Sequence, residues 1–171
     1  MSRKLKNLGL KFIMVSVYVM SYILLMFDLA RNNPEINTFL SNVKERLNIT
    51  ETSSLFVVAI IIIPFILVML FVTYFLIKTL FQLLYKGGGG AYSDQIFVSL
   101  LLTRIVVNTL SLLLINVVSV SLVSGVALLL DFILFLYLFY SSSKNLRATK
   151  ILALVKVILL IISYVVGIVF S

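Results

Sequence analysis

The chain has 171 residues, 62% of them hydrophobic and 12% charged, with a formal net charge of +8. Together with a mean hydropathy of +1.21, so few charges exclude a soluble globular domain, in which roughly a quarter of residues are charged. Cys and His are absent, which excludes disulfides, thiol nucleophiles, Cys/His zinc sites and imidazole as acid, base or pH switch.

The apolar residues fall in continuous runs, not in the short alternating strands of an outer-membrane barrel. A helix needs roughly 20 residues to cross a hydrocarbon core of about 30 Å. The pattern predicts an all-α, polytopic bundle of five transmembrane helices, a single domain over 1–171 in the cell membrane.

The first span runs from about Leu10 to Ala30, behind Arg3, Lys4 and Lys6. A signal peptide has the same order of basic and apolar regions, but this apolar run is longer and no A-x-A site follows. An uncleaved helix is expected. The loop 31–54 is polar, with helix formers at Asn37–Leu47 and a glycosylation triplet at Asn48-Ile49-Thr50 that arises often by chance.

The second span, 55–78, continues through Lys78 and Gln82 to Tyr85. Leu55–Tyr85 would measure about 46 Å as one helix, so it must tilt or project, with a kink expected at Pro64. Then comes a linker, 86–95, containing Gly87, Gly88, Gly89 and Gly90. It reads as a flexible hinge; a phosphate loop would need Lys-Ser/Thr after it, and Ala91-Tyr92-Ser93 follows instead.

The third span is 96–118, the fourth 122–140 and the fifth 151–170. Only Ser119–Ser121 separates the third from the fourth, so these two form a tight hairpin. The chain stops at Ser171, directly after the fifth span, and no appended soluble domain is expected.

Basic residues set the orientation. Arg3, Lys4, Lys6, Lys11, Lys78, Lys86, Lys144, Arg147 and Lys150 gather on one side. Arg31, Lys44 and Arg46 face the other, beside Glu35, Glu45 and Glu51. The positive-inside rule then puts the N-terminus in the cytoplasm, loop 31–54 outside and the C-terminus outside. Because these basic residues flank apolar spans, anionic headgroups explain the net charge better than nucleic acid does.

Two opposite charges lie inside spans, Arg104 in the third and Asp131 in the fourth. From Ile96, Arg104 is about 12 Å along its helix, and from Tyr140, Asp131 is about 13.5 Å along its own, so their depths match. A charge there costs at least about 2.5–3.5 kcal/mol and usually has a partner. Arg104, Asn108 and Ser111 share one helix face. Ser124, Ala127 and Asp131 share a small-residue face, as do Lys156, Ser163 and Gly167. The charges admit three readings: a structural salt bridge orienting the hairpin with Asn108 as an interhelical group, a substrate or ion path, or contact of Arg104 with a lipid headgroup. Lys156, just inside the fifth span, competes as partner for Asp131, since its long side chain could snorkel to it from the cytoplasmic side.

No catalytic role is expected. Of six acidic residues only Asp131 lies deep in a span, and no metalloprotease or serine-elbow motif is present. No cofactor or metal is expected either.

The order of these segments, with Leu83-Leu84-Tyr85-Lys86 before the glycines, Tyr92-Ser93-Asp94-Gln95-Ile96-Phe97 after them, and the basic segment Ser141–Lys150, resembles the small bacterial members of the Yip1-like family of five-span membrane proteins. Leu146-Arg147-Ala148-Thr149-Lys150 is the closest local match, and the resemblance covers Leu55 to Phe170. It implies a non-enzymatic accessory role beside a membrane partner such as an ABC exporter, in envelope defence against antimicrobial peptides. Two alternatives stand beside that role: a stand-alone immunity protein against a membrane-active peptide, and a small oligomeric transporter or channel using Arg104 and Asp131. The expected partners are the lipid bilayer and another membrane protein or further copies of the chain.

Overall fold

The computed structural model describes residues 3–32, 38, 41–42, 45, 51–85 and 88–169. Five long helices carry the fold: α1 Arg3–Asn32, α2 Glu51–Leu84, α3 Ser93–Leu114, α4 Val120–Ser143 and α5 Leu146–Val169. A 3-10 turn, Gly89–Tyr92, leads into α3. Nearly all of the described residues are helical, and there is no strand among them. In hydrocarbon each backbone N–H and C=O must be bonded within its own segment, and helices achieve this. Each helix holds an apolar stretch long enough to cross a bilayer, at Asn7–Leu29, Ile60–Leu84, Gly89–Leu114, Val120–Ser143 and Leu146–Val165. The molecule is a multi-pass integral membrane protein.

Some boundaries differ from those the apolar runs suggest. α3 ends at Leu114, four residues before Val118, because the N–H groups of Val117 and Val118 both bond to the Leu114 carbonyl and close a turn. α4 runs on to Ser143, where Lys144 takes a left-handed conformation (φ 51°) and its N–H bonds back to Tyr140. α5 starts at Leu146, five residues before Ile151. α2 continues through Pro64 as one helix. Of Asn37–Leu47 only Thr38, Ser41, Asn42 and Glu45 are described, all helical. The triplet at Asn48, along with Lys86, Gly87 and Phe170, lies outside the described residues.

α3 is the central helix. Buried residues make up 44% of its span, against 17–22% in the other four. It pairs with α4 as a hairpin and with α1 on another side, while α5 lies against α2 and α4. The buried positions recur every three or four residues, as one helix face requires: Met14, Tyr18 and Ser21 on α1, Phe135 and Phe139 on α4, and Ala148, Leu152 and Val155 on α5. Ile77, Phe81, Ile96 and Leu100 complete a core weighted toward the end of the bundle that carries the basic residues. Toward the other end α5 leaves the bundle, and Ile161 through Val165 are exposed on every side.

The glycine run expected as a hinge is a packed turn over its described part. Gly88 has φ +81°, a conformation that costs an L side chain roughly 1–2 kcal/mol. Gly89 is buried, and a Cβ there would lie 3.1 Å from the Gln82 Cα. Around Gly90 the nearest atom would be the end of the Gln82 side chain, at 3.8 Å. Gly88→Ala and Gly89→Ala should therefore each lower stability by about 1 kcal/mol or more, and Gly90→Ala should be close to neutral. Thermal unfolding in detergent checks that order. Equal tolerance at all three positions would mean that the turn is a free linker.

Candidate functional site: a charge triad at mid-membrane depth

Three ionisable side chains meet at the centre of three consecutive spans. Arg104 lies about 16 Å along α3 from Ser93 and about 15 Å from Leu114. Asp131 is about 16 Å from Val120, and Lys156 about 15 Å from Leu146, by the same rise per residue. Lys156 Nζ stands 2.6 Å from Asp131 Oδ2, and Arg104 Nε 3.3 Å from Asp131 Oδ1. Asp131 thus binds both basic residues between which the sequence left its partner open.

The two contacts are unequal. The Lys156 and Asp131 side chains are 8% and 14% exposed, whereas that of Arg104 is 40% exposed. The ammonium of Lys156 also sits 4.6 Å from the centre of the Phe135 ring, whose π face favours a cation. The Arg104 contact lacks hydrogen-bond alignment, and Asp131 Oδ1 is buried without a hydrogen bond. Lys156 therefore neutralises Asp131. Arg104 touches the pair by one edge and carries the surplus positive charge.

Arg104 also lines a cavity of about 160 Å³ between α1, α2 and α3, with Tyr18, Tyr22, Met69, Leu70, Thr73 and Leu100. This is the size of a cavity that holds a benzene-sized group. Met69 at its edge is half exposed.

The other expected polar positions serve different ends. Asn108 is buried and donates from Nδ2 to the Ser21 hydroxyl at 3.2 Å, tying α3 to α1. Ser111 is buried on the same face. Ser124 is exposed and bonds its own helix at Val120, and Ser163 is exposed, so neither hydroxyl ties its helix to a neighbour. Polar ties within membranes average about 0.6 kcal/mol. Asn108→Leu should accordingly cost about 1 kcal/mol and Ser21→Ala less, read as detergent melting temperatures; a larger loss from Ser21→Ala would show that the hydroxyl has a second role.

Contacts at the two ends of the bundle escaped the sequence reading. At the basic end Lys11 Nζ reaches Asp94 Oδ1 at 2.8 Å, and these residues edge a second cavity of about 200 Å³ with Asn7, Gln95, Val98 and Ser142. At the opposite end Asn116 donates to Asp28 at 3.2 Å.

Asn145 is the hub of the basic end. Its Nδ2 donates to the phenols of Tyr92 at 2.8 Å and Tyr85 at 3.3 Å, while its Oδ1 accepts the Ala148 N–H at 3.1 Å. The two tyrosines pack with Phe81 and Phe139 in a ring cluster of one stacked pair and otherwise edge-on or tilted contacts. The hydrogen bond with Tyr92 raises the Tyr85 phenol above the ordinary tyrosine range. The signal for this hub was the Asn three residues before Ala148, the spacing of a helix N-cap.

The chain matches no protein-family model, no curated protein and no solved structure.

Proposed function

We propose that this protein is a non-enzymatic accessory subunit of the membrane, one that works by holding another membrane protein against its helices. The observation that carries the reading is the inequality within the triad. Asp131 and Lys156 satisfy each other inside the bundle, whereas Arg104 keeps unused donors at the α1–α2 seam. A cation at that depth calls for a partner. The resemblance to the Yip1-like family points the same way, toward an exporter-type partner in envelope defence. The reading includes a cytoplasmic N-terminus and an external C-terminus. Single cysteines in this cysteine-free chain test that orientation. A cysteine at position 145 should resist impermeant maleimide in intact cells, and labelling there would reverse it.

A photo-crosslinking residue at Met69, on the rim of the seam, tests the association in cells. One discrete heavier species containing a second membrane protein is expected, and no adduct, or an even smear of lipid, would end the reading. The transporter alternative has the same cavity in its favour; solute flux by the isolated chain in liposomes, lost in Arg104→Gln, would put it first. An immunity protein acting alone would protect cells that lack any exporter partner.

A further inference from the structure

The unfilled side of Arg104 says what kind of partner fits. We propose that the α1–α2 seam receives a transmembrane helix of a different protein, whose Asp or Glu at mid-span enters the cavity and pairs with Arg104. This inference rests on the accessory reading and names the chemistry of the contact.

Charge comes first. Two cations share one carboxylate, and the closer, more buried contact belongs to Lys156. Arg104 meets Asp131 with Nε at 3.3 Å, and its two terminal nitrogens, the fork that binds a carboxylate in bidentate fashion, make no hydrogen bond among the described residues. The phenols of Tyr18 and Tyr22, at the same cavity, make no hydrogen bond among the described residues.

Depth selects the source of the acid. Arg104 is about 15 Å from either end of α3, half of a hydrocarbon core of about 30 Å. A lipid headgroup stays at the interface, whereas a helix fixes a side-chain carboxylate at any depth. The cavity of about 160 Å³ admits such a side chain and no helix, so the helix itself must lie over the seam. A second copy of this chain cannot supply the acid. Its six acidic residues include one at mid-span, Asp131, and that one is held by Lys156.

The test uses the full chain in phosphatidylcholine vesicles with synthetic leucine-rich transmembrane peptides, binding being read by energy transfer. One peptide carries a central Glu, one a central Leu, and one a Glu moved two helical turns toward an end. The central-Glu peptide should bind at least about tenfold more tightly than the others, the factor that about 1.4 kcal/mol gives. Arg104→Gln should abolish the preference and Arg104→Lys keep part of it. Thr73→Phe, which fills the cavity and leaves every charge in place, should weaken binding as well. Equal binding of all three peptides overturns the inference. So does a site that prefers oleate to the central-Glu peptide and loses the oleate in Arg104→Gln, because the acid is then a lipid's. If cells still yield the Met69 adduct in either case, the accessory reading survives without this contact; if the adduct is missing too, both fall.

Discussion

Asp131→Leu should be the most damaging single substitution among the polar residues of the spans, lowering stability by about 3–5 kcal/mol, the range for stranding a buried charge. It would leave Lys156 and Arg104 at mid-membrane depth with no anion between them. The two cations should not behave alike. Arg104→Leu leaves Lys156 and Asp131 as a neutral pair and should cost about 1 kcal/mol or less, whereas Lys156→Met leaves Asp131 only the looser Arg104 contact and should cost more. Exchanging Arg104→Asp with Asp131→Arg, which an isolated pair would tolerate, sets the new guanidinium against Lys156 and should rescue nothing. Replacing all three by apolar residues should restore much of the loss, since a buried ionic cluster seldom exceeds good apolar packing in stability. Folded yield and melting temperature in detergent measure the series. If Lys156→Met matched wild type while Arg104→Leu collapsed, the assignment of Lys156 as the neutralising partner would be wrong.

The sequence was most legible where physics acts on a single segment. Apolar length alone located five helices, because a bilayer imposes one minimum length on them all. Depth was legible too. Arg104 and Asp131 match by residue count, whereas Lys156 looked shallow because the apolar run begins at Ile151; only the helix start at Leu146 brings it to the same level. What counting along separate helices could not give was their arrangement. That Asn108 meets Ser21 depends on α1 lying beside α3, and no periodicity encodes which helices are neighbours. The Arg104 cavity depends on α1, α2 and α3 together, so it was invisible for the same reason. The helix ends erred where backbone chemistry overrides hydropathy: a polar capping residue added a turn to α5, and carbonyl bonding at Leu114 cut α3 short. The glycine run looks free by composition, yet Gly89 is held by close approach to Gln82, a constraint visible only in three dimensions.

Asn145→Leu should cost about 2–3 kcal/mol, although the residue is neither charged nor in a span. Its side chain satisfies the Ala148 N–H at the start of α5, and losing an N-cap typically costs about 1 kcal/mol. It also donates to Tyr85 at the end of α2 and to Tyr92 before α3, and a net hydrogen bond contributes about 1 kcal/mol. One side chain thus joins the α4–α5 connection to both ends of the glycine turn. The two roles separate by substitution. Asn145→Asp keeps the capping oxygen and loses the donors, so it should recover about half of the loss. Tyr92→Phe should remove the shorter of the two phenol contacts and leave the cap intact, at about 1 kcal/mol. If Asn145→Asp were as harmful as Asn145→Leu, the cap would contribute nothing and the clamp everything. If Asn145→Leu were neutral, the aromatic cluster of Phe81, Tyr85, Tyr92 and Phe139 would be holding this end of the bundle without a polar centre.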